Sequence, residues 1–515
     1  MIRVAANVEN FMSAVRTLPV SATSLEAWFA PFRRDTIGFD QAFDSPYGRQ
    51  RIVYADWIAS GRLYAPIEDL LRSAIAPFVG NTHTETSETG TTMTRAYQRA
   101  FEVIRKHVHA NRDDALLSYG SGMTAVVNKF QRILGLRVHE SYLDRVCPAA
   151  NDRPIVFVTH MEHHSNQTSW LETICEVQVI PATPEGLVDL QGLDRLLDEY
   201  RARPIKLASV TSCSNVTGII TPYYDIAERM HRAGGLCFVD FAASAPYIDI
   251  DMHPADRPEA YLDAIYFSPH KFLGGPGSSG ILIFNKRLYR NRIPDNPGGG
   301  TVDWTNPWGQ HKYVDDVEAR EDGGTPGFLQ TIRTALAIQL KDAMGVAQII
   351  SRERELLDLV WPQLNAISGL RILAANQPER IGCISFYIAD LHYNLAVKLL
   401  NDRYGIQVRG GCSCAGTYGH YLLQVSIDHS KSITDQISAG ILSDKPGWVR
   451  LSLHPTMTNS EAQYIVDAIT TLASQHREWA RDYRYCSRTN EFAHLNACER
   501  DAVDARVDRW FSSIV

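Results

Sequence analysis

The fold is decided by the stretch AIYFSPHKFLGGPG, residues 264–277. Its first four residues are apolar and predict a short buried strand. Lys271 follows this strand, between a histidine and glycines that let a backbone approach a ligand closely. A lysine in this position is what a Schiff-base site needs, although most lysines are solvated surface groups. Both interpretations stay open for this stretch taken alone.

The chain before this stretch alternates between apolar strands and segments with helical spacing. Strands are predicted at residues 115–118, 155–158, 207–211 and 236–240. The last of these is an almost continuous apolar run, which is typical of a parallel sheet covered on both faces. The sequence therefore predicts an α/β fold with a mostly parallel sheet, whose ligands bind at the carboxyl ends of the strands.

Chemically active residues gather at the ends of the predicted strands. The turn at residues 120–122 opens a helix, and its backbone N–H groups together with the helix dipole predict a seat for a phosphate. Five further residues lie at or just after strand ends: His163, Asn215, Asp240, Ser268 and Lys271. Because the carboxyl ends of parallel strands meet at one edge of a sheet, these side chains are expected to converge.

Two groups of residues suggest a metal site. His160, His163 and His164 lie close together, but in a loop after a strand their spacing does not match the helical zinc motif, and no acidic ligand set follows. Cys412 and Cys414, with His420 nearby, offer three ligands at most. We therefore expect no metal, and His163 is interpreted as an imidazole stacked on a planar cofactor.

Pyridoxal 5'-phosphate (PLP) needs a lysine, an anion seat, a carboxylate at its ring nitrogen and a group packed on its ring face. Residues 120–122, His163, Asp240 and Lys271 supply these features. The sequence resembles the class V aminotransferase and cysteine desulfurase group of fold-type-I PLP enzymes over about residues 50–475. The resemblance is carried by ordered segments at residues 161–166, 214–218, 239–240, 268–271 and 324–326.

The resemblance implies roles for particular residues. Lys271 is the catalytic Schiff-base lysine, and His163 stacks on the ring and takes part in catalysis. Asp240 pairs with the ring nitrogen, and Asn215 binds the ring hydroxyl and the substrate. The residues expected at the phosphate are Ser121, Gly122, Ser268 and His270. Thr325 is expected to reach the phosphate of a neighbouring subunit, which implies a homodimer with shared active sites.

The sequence departs from the family pattern at two places near the cofactor. Ala243 stands where family members usually have a glutamine, three residues after the aspartate. Ser121 and Gly122 stand where two threonines are common. These departures leave the fine tuning of the cofactor open.

The stretch VRGGCSCAG, residues 408–416, selects the chemistry. In the desulfurase-like family such a segment carries the catalytic cysteine, and the register from Arg409 places Cys414 at that position. The Cys414 thiolate would attack the substrate sulfur, keep it as a persulfide and release alanine. Arg450 matches the arginine that binds the substrate carboxylate, with Arg409 near it. Cys412 is open to three interpretations: a metal ligand, a thiol that resolves the persulfide, or a packed thiol.

The predicted function is a cysteine desulfurase-like or selenocysteine lyase-like activity on an amino acid, with a sulfur-acceptor protein as a further partner. The alternative is a class V aminotransferase, an epimerase or another PLP-dependent C–S lyase in which Cys414 is not a nucleophile. A non-catalytic scaffold is disfavoured, because it needs neither an aldehyde-binding lysine nor a carboxylate-binding arginine.

Composition sets the outer limits of these predictions. The 515 residues include 45% hydrophobic and 21% charged residues, with a net charge of -7, so nucleic acid is not expected as a partner. No uninterrupted apolar run reaches the length of a membrane span, so a membrane is not expected either. Nine cysteines without a disulfide-like framework favour a cytoplasmic location. Three parts are predicted: an N-terminal segment at 1–50, a large PLP-binding domain at 51–346, and a small α+β domain at 347–515 with an extended helical tail.

Overall fold

The computed structural model describes residues 24–496 and 499–512. They divide into two compact units. The first unit holds residues 24–37, Trp57–Glu353 and Glu379–Ile381, and the second holds Gly38–Asp56, Arg354–Pro378 and the described residues from Gly382 onward. The segment before residue 50 is thus divided between the units. The three-part division at 1–50, 51–346 and 347–515 stays a prediction.

The strands of the described residues, in chain order, are β1 (Ala42–Ser45), β2 (Gly48–Arg51), β3 (Val53–Tyr54), β4 (Asp114–Tyr119), β5 (Ile155–Thr159), β6 (Glu176–Ile180), β7 (Lys206–Thr211), β8 (Leu236–Asp240), β9 (Ala264–Phe267), β10 (Gly280–Asn285), β11 (Val302–Thr305), β12 (His311–Tyr313), β13 (Leu370–Ile372), β14 (Cys383–Ile388), β15 (Ile406–Gln407), β16 (Arg409–Gly411), β17 (Trp448–Ser452), β18 (Tyr483–Cys486) and β19 (Glu491–His494). The predicted strands at 115–118, 155–158, 207–211, 236–240 and 264–267 are all present, within one or two residues at each end.

The α-helices of the described residues are Leu25–Arg34, Ala65–Leu70, Glu88–His107, Met123–Ile133, Leu143–Val146, His164–Leu171, Leu190–Glu199, Tyr223–Arg232, Val317–Glu321, Phe328–Met344, Val346–Ala366, Tyr393–Tyr404, Gly416–Leu422, Ile427–Ser438, Asn459–Trp479 and Glu499–Ser512. None of these helices combines the length and the apolar character needed to cross a bilayer.

The first unit is built on a seven-stranded sheet in the order β4-β10-β9-β8-β7-β5-β6. Strands β9, β8, β7, β5 and β6 pair in parallel, whereas β10 runs antiparallel to both β4 and β9. The predicted α/β fold with a mostly parallel sheet is therefore confirmed.

Both faces of this sheet are covered by apolar packing. Cys237 and Val239 of β8 lie in the core on one face, while Phe238 between them lies in the core on the other face. Successive side chains of a strand point to opposite faces, so a strand buried on both sides must be apolar at every position. This explains why β8 lacks the alternation of a half-buried strand.

The second unit contains a four-stranded antiparallel sheet in the order β13-β14-β17-β16. The helix Asn459–Trp479 begins with the predicted capping box, in which the Thr458 hydroxyl accepts from the Glu461 N–H and the Glu461 carboxylate accepts from the Thr458 N–H. The tail that was predicted to be helical also contains a β-hairpin, β18–β19, before its helix Glu499–Ser512.

Candidate active site

The topology of the first unit gathers the candidate residues at one edge of its sheet. The carboxyl ends of β5, β7, β8 and β9 lie at this edge because these strands are parallel. Strand β4 runs in the same direction, and the amino end of β10 meets it there, with Gly280 paired to Tyr119. The edge therefore collects the residues that follow β4, β5, β7, β8 and β9 and those that precede β10.

The predicted phosphate seat is a tight turn between β4 and the helix Met123–Ile133. Gly120 has a φ of 60°, and a Cβ there would lie 2.3 Å from the Ala125 Cβ, so a larger residue would be both strained and crowded. The Ser268 Oγ accepts a hydrogen bond from the Met123 N–H at 2.9 Å. The His270 Nδ1 lies 3.0 Å from the Ser121 carbonyl oxygen. Residues from β4 and β9 thus meet at the positive end of a helix.

A pocket of ≈ 830 Å³ opens beside this turn. Its polar lining includes Ser121, His270, Ser278, Ser279 and Thr325. The Ser278 Oγ is buried and has no hydrogen-bond partner among the described residues, so it is a donor available to a ligand. Hydroxyl and imidazole groups next to a helix N-terminus form a donor set that suits a phosphate.

Asp240 is buried at the end of β8, with 3% of its surface exposed. Burial raises the pKa of its carboxyl to about 6, while a hydrogen bond from the Ala242 N–H and the positive charge of Lys271 act in the opposite direction. Lys271 therefore lies close enough to Asp240 for its charge to act on the carboxyl. A buried carboxylate at a strand end suits a protonated ring nitrogen, which would satisfy its charge.

The turn that carries Lys271, residues 268–271, is packed tightly against a second turn of the same unit. The Gly61 N–H donates to the His270 carbonyl at 2.9 Å, and a Cβ on Gly61 would lie 1.9 Å from the Phe272 carbonyl oxygen. Burial, followed by the charge of Lys271, lowers the pKa of His270, which favours a neutral imidazole in this turn.

His163 lies at the N-cap of the helix His164–Leu171, where its Nδ1 accepts from the Ser165 N–H at 3.1 Å. Asn215 is buried in the turn after β7. His160 is also buried, and its Nε2 lies 3.1 Å from the Gly186 carbonyl. Within residues 24–496 and 499–512 there is no group of three histidine, cysteine or acidic side chains arranged to bind a metal.

Glu162 also lies at this edge, although it was not predicted as a site residue. Its buried carboxylate accepts from the Thr159 N–H and hydroxyl, from the Thr211 N–H at 2.9 Å and from the Asn166 side chain at 2.7 Å. Burial raises its pKa to about 7 against the effect of these hydrogen bonds. Glu162 ties the end of β5 to the end of β7, and so fixes the spacing of the turns that carry His163 and Asn215.

In the second unit, one aspartate joins the two candidate arginines. Arg409 and Arg450 are directly paired across β16 and β17. The Asp56 Oδ1 accepts from the Arg450 Nη2 at 2.8 Å, and its Oδ2 accepts from the Arg409 Nε at 3.0 Å. The Arg450 side chain is buried and that of Arg409 is about half exposed. The cluster carries two positive charges and one negative charge, so it can accept one further carboxylate.

The cysteine pair lies on a tight turn that follows β16. The Ala415 N–H donates to the Cys412 carbonyl at 3.0 Å, and the two residues between them, Ser413 and Cys414, have φ values of 51° and 55°. Cys412 is half-buried and Cys414 is exposed. The His420 Nδ1 and Nε2 contact the Gly416 carbonyl and the Ser430 hydroxyl, so this histidine does not complete a site with the two thiols.

Comparison with known proteins places this chain in a family. Residues 53–465 match the Aminotransferase class-V family. A probable cysteine desulfurase of Staphylococcus epidermidis is 28% identical over 371 residues, covering 71% of this chain and 84% of the relative. One from Halalkalibacterium halodurans is 27% identical over 368 residues, covering 71% and 84%.

Solved structures show the same fold. A cysteine desulfurase from Thermococcus onnurineus superimposes with a TM-score of 0.68 at 19% identity, covering 86% of this chain and 97% of that one. A cysteine desulfurase from Escherichia coli gives 0.66 at 22% identity, covering 87% and 98%.

The chain belongs to the class V aminotransferase family and has the fold of fold-type-I PLP enzymes. It is a PLP-dependent enzyme, as the resemblance implied. The residues at the sheet edge fit this cofactor, because a hydroxyl-lined helix N-terminus, a buried carboxylate and a lysine whose charge acts on that carboxylate all lie there. The individual roles given to the site residues stay predictions.

Proposed function

We propose that this PLP-dependent enzyme removes sulfur from L-cysteine, or selenium from L-selenocysteine, and releases alanine. The observation that carries the proposal is the exposed thiol of Cys414, held on a turn that begins one residue after the strand of Arg409. The names of the relatives, which are probable cysteine desulfurases, support the same reaction.

The first unit would hold the cofactor. When bound, PLP withdraws electrons from the α-carbon of the substrate. Lys271 would hold the cofactor covalently and afterwards carry a proton at its Nζ, and Asp240 would accept a hydrogen bond from the ring nitrogen. His163 would pack on the ring and Asn215 would bind its hydroxyl. The phosphate would be held by Ser121, Gly122, Ser268 and His270.

The arginine cluster of the second unit would bind the substrate carboxylate. A guanidinium matches a carboxylate with two parallel hydrogen bonds. Asp56 neutralises one of the two positive charges, so the cluster retains a single net charge. This favours a substrate with one carboxylate near the arginines.

The Cys414 thiolate would then act on the substrate sulfur. A bond forms between the Cys414 Sγ and that sulfur, while the bond from the sulfur to the substrate Cβ breaks. The electron pair stays on the carbon, which takes a proton and becomes the methyl group of alanine. Cys414 keeps the sulfur as a persulfide.

Membership of this family also supports a proposal for the assembly and location of the enzyme. The active form would be a homodimer in which Thr325 contacts the phosphate of the neighbouring subunit, and a sulfur-acceptor protein would take the persulfide sulfur. No disulfide joins the cysteines within the described residues, which supports the reducing environment of the cytoplasm.

The test is product analysis of the PLP-loaded enzyme with L-cysteine and a thiol reductant. Alanine and sulfide in equal amounts, both lost in Cys414→Ala while the cofactor absorbance is retained, would support the proposal. Pyruvate with sulfide, or an unchanged rate in Cys414→Ala with a keto acid as product, would overturn it. Cys486→Ser, which alters another exposed thiol, is the matched control.

A further inference from the structure

Cys412 and Cys414 are joined by an unusual turn. A hydrogen bond from residue i+3 to residue i, with both central residues at positive φ, defines a type I′ turn. Its central positions normally hold asparagine and glycine, because other residues are strained there. Here they are Ser413 and Cys414. Strained backbone conformations of this kind cluster at functional sites.

The rest of the second unit fixes this turn. The Trp448 Nε1 donates to the Ser413 Oγ at 3.2 Å, and Trp448 itself is completely buried. Strand β16 leads into the turn and pairs with β17 at Gly411 and Trp448. A rigid strand therefore holds Cys412 on one side, while Cys414 lies exposed at the tip.

The turn limits the Cα separation of Cys412 and Cys414 to a range that a disulfide can span. In an extended chain, the Cα atoms of residues i and i+2 lie at most about 7 Å apart, and a turn shortens this distance. A disulfide needs a Cα separation of roughly 4.4–6.8 Å. Cys412 is half-buried and Cys414 is exposed, so solvent and small thiols reach the pair from the Cys414 side. No third metal ligand accompanies the two thiols in the part of the chain that the structure describes.

We propose that Cys412 is a resolving thiol that releases the sulfur of the Cys414 persulfide as sulfide. This proposal rests on the proposed function, since Cys414 must first receive sulfur. The Cys412 thiolate attacks the Cys414 Sγ, and a Cys412–Cys414 disulfide forms. The bond between the Cys414 Sγ and the outer sulfur breaks, and the outer sulfur leaves with the electron pair as hydrosulfide.

The cycle then needs a reductant. Two equivalents of a low-molecular-weight thiol, or one of a dithiol, reduce the disulfide and are themselves oxidised to a disulfide. The thiol thus supplies the two electrons that the released sulfide carries away. This release as free sulfide is a second route beside the transfer of the persulfide sulfur to an acceptor protein.

The decisive experiment is a single turnover of the PLP-loaded enzyme with L-cysteine in the absence of any reductant. For the wild type we expect one equivalent of alanine, one equivalent of free sulfide and a peptide that has lost two hydrogen atoms through a Cys412–Cys414 bond. Cys412→Ser should yield the same alanine, but its sulfur should remain on Cys414 as the mass of one added sulfur atom. Cys486→Ser should behave as the wild type.

Two outcomes separate this proposal from the proposed function. If the wild type also retains the added sulfur and frees no sulfide, Cys412 does not resolve the persulfide although the desulfurase reaction stands. If neither protein forms alanine, the proposed function fails, and the thiol pair is then tested without substrate. Oxidation of the PLP-loaded protein with diamide should form the Cys412–Cys414 disulfide, and two thiols that remain open to alkylation would overturn the inference.

Discussion

Asp56 and Arg450 form a buried ion pair, in which the Asp56 Oδ1 accepts from the Arg450 Nη2 at 2.8 Å. The second carboxylate oxygen of Asp56 reaches Arg409. The aspartate therefore orients both guanidinium groups and limits the positive charge that they present. We regard Asp56 as a positioning residue for the proposed carboxylate site.

Replacing Asp56 with alanine should lower the free energy of unfolding by roughly 3 kcal/mol, because a buried arginine loses its counter-charge. The KM for the amino-acid substrate should rise more than kcat falls, since the arginines lose their fixed orientation. Asp56→Asn, which keeps an acceptor, should lie between. Asp44→Ala, at an exposed position of β1, is the control. Equal stability of Asp56→Ala and Asp44→Ala would contradict this role.

Gly122→Ala should weaken the binding of PLP by about tenfold, because overpacking costs roughly 1–3 kcal/mol and 1.4 kcal/mol is a factor of ten. The new Cβ would lie 3.0 Å from the His270 Cε1 and 3.2 Å from the Ser268 Oγ, so both phosphate candidates must move. The measurement is the dissociation constant of PLP from absorbance titration. At Gly299 a Cβ meets nothing within 4 Å, so Gly299→Ala is the control. Identical constants would place the phosphate elsewhere.

Asp240 should make the stability of the cofactor-free protein depend on pH. Its pKa rises from 3.8 in the unfolded chain to about 6 in the fold, mainly through burial, so the folded state binds more protons between these values. The free energy of unfolding contributed by this group therefore falls as pH rises through that window. Relative to Asp240→Asn, the wild type should lose roughly 1–3 kcal/mol between about pH 4 and pH 7.

Urea unfolding at several pH values measures this difference, with Asp256→Asn as the control for an exposed aspartate. Parallel stability curves for the wild type and Asp240→Asn would show that the carboxyl is not perturbed by burial.

Glu162→Ala should destabilise the protein by roughly 2–5 kcal/mol, because buried donors of Thr159, Thr211 and Asn166 lose their acceptor. PLP affinity should fall as well, since the turns after β5 and β7 are no longer tied together. Thermal unfolding and absorbance titration check the two effects. The control is Glu172→Ala, at an exposed position after the same helix as His163. A loss of PLP binding without any loss of stability would instead indicate direct contact with the cofactor.

The fold of the first unit could be predicted well from the sequence, because the patterns that indicate it are local. The apolar run of β8 and the turn after β9 can each be recognised from fewer than ten consecutive residues. The carboxyl ends of parallel strands then meet at one edge of the sheet, so the residues that follow them must lie close together. Asp56 was missed because its partners, Arg409 and Arg450, lie 353 and 394 residues away, and a pairing at that distance leaves no local pattern.

Two further features could not be predicted from the sequence, for different reasons. Glu162 lies among three histidines, and a histidine cluster of this kind suggests metal binding rather than a buried carboxylate. The type I′ turn at Ser413 and Cys414 uses residues that disfavour positive φ, so turn propensity predicts against it. In the sequence, this turn is marked only by the two closely spaced cysteines, and not by residues that favour positive φ.

The reversed direction of β10 has a consequence for folding kinetics. Because β10 is antiparallel to β9, the two strands need no crossover helix, and only residues 268–279 separate them. The turn that carries Lys271 and the two serines just before β10, Ser278 and Ser279, therefore come together through short-range contacts, which form with little loop-closure cost. The half of the proposed cofactor site that holds Lys271 and Ser278 can therefore assemble locally, before the long-range pairing of β4 with β10 completes the proposed phosphate site.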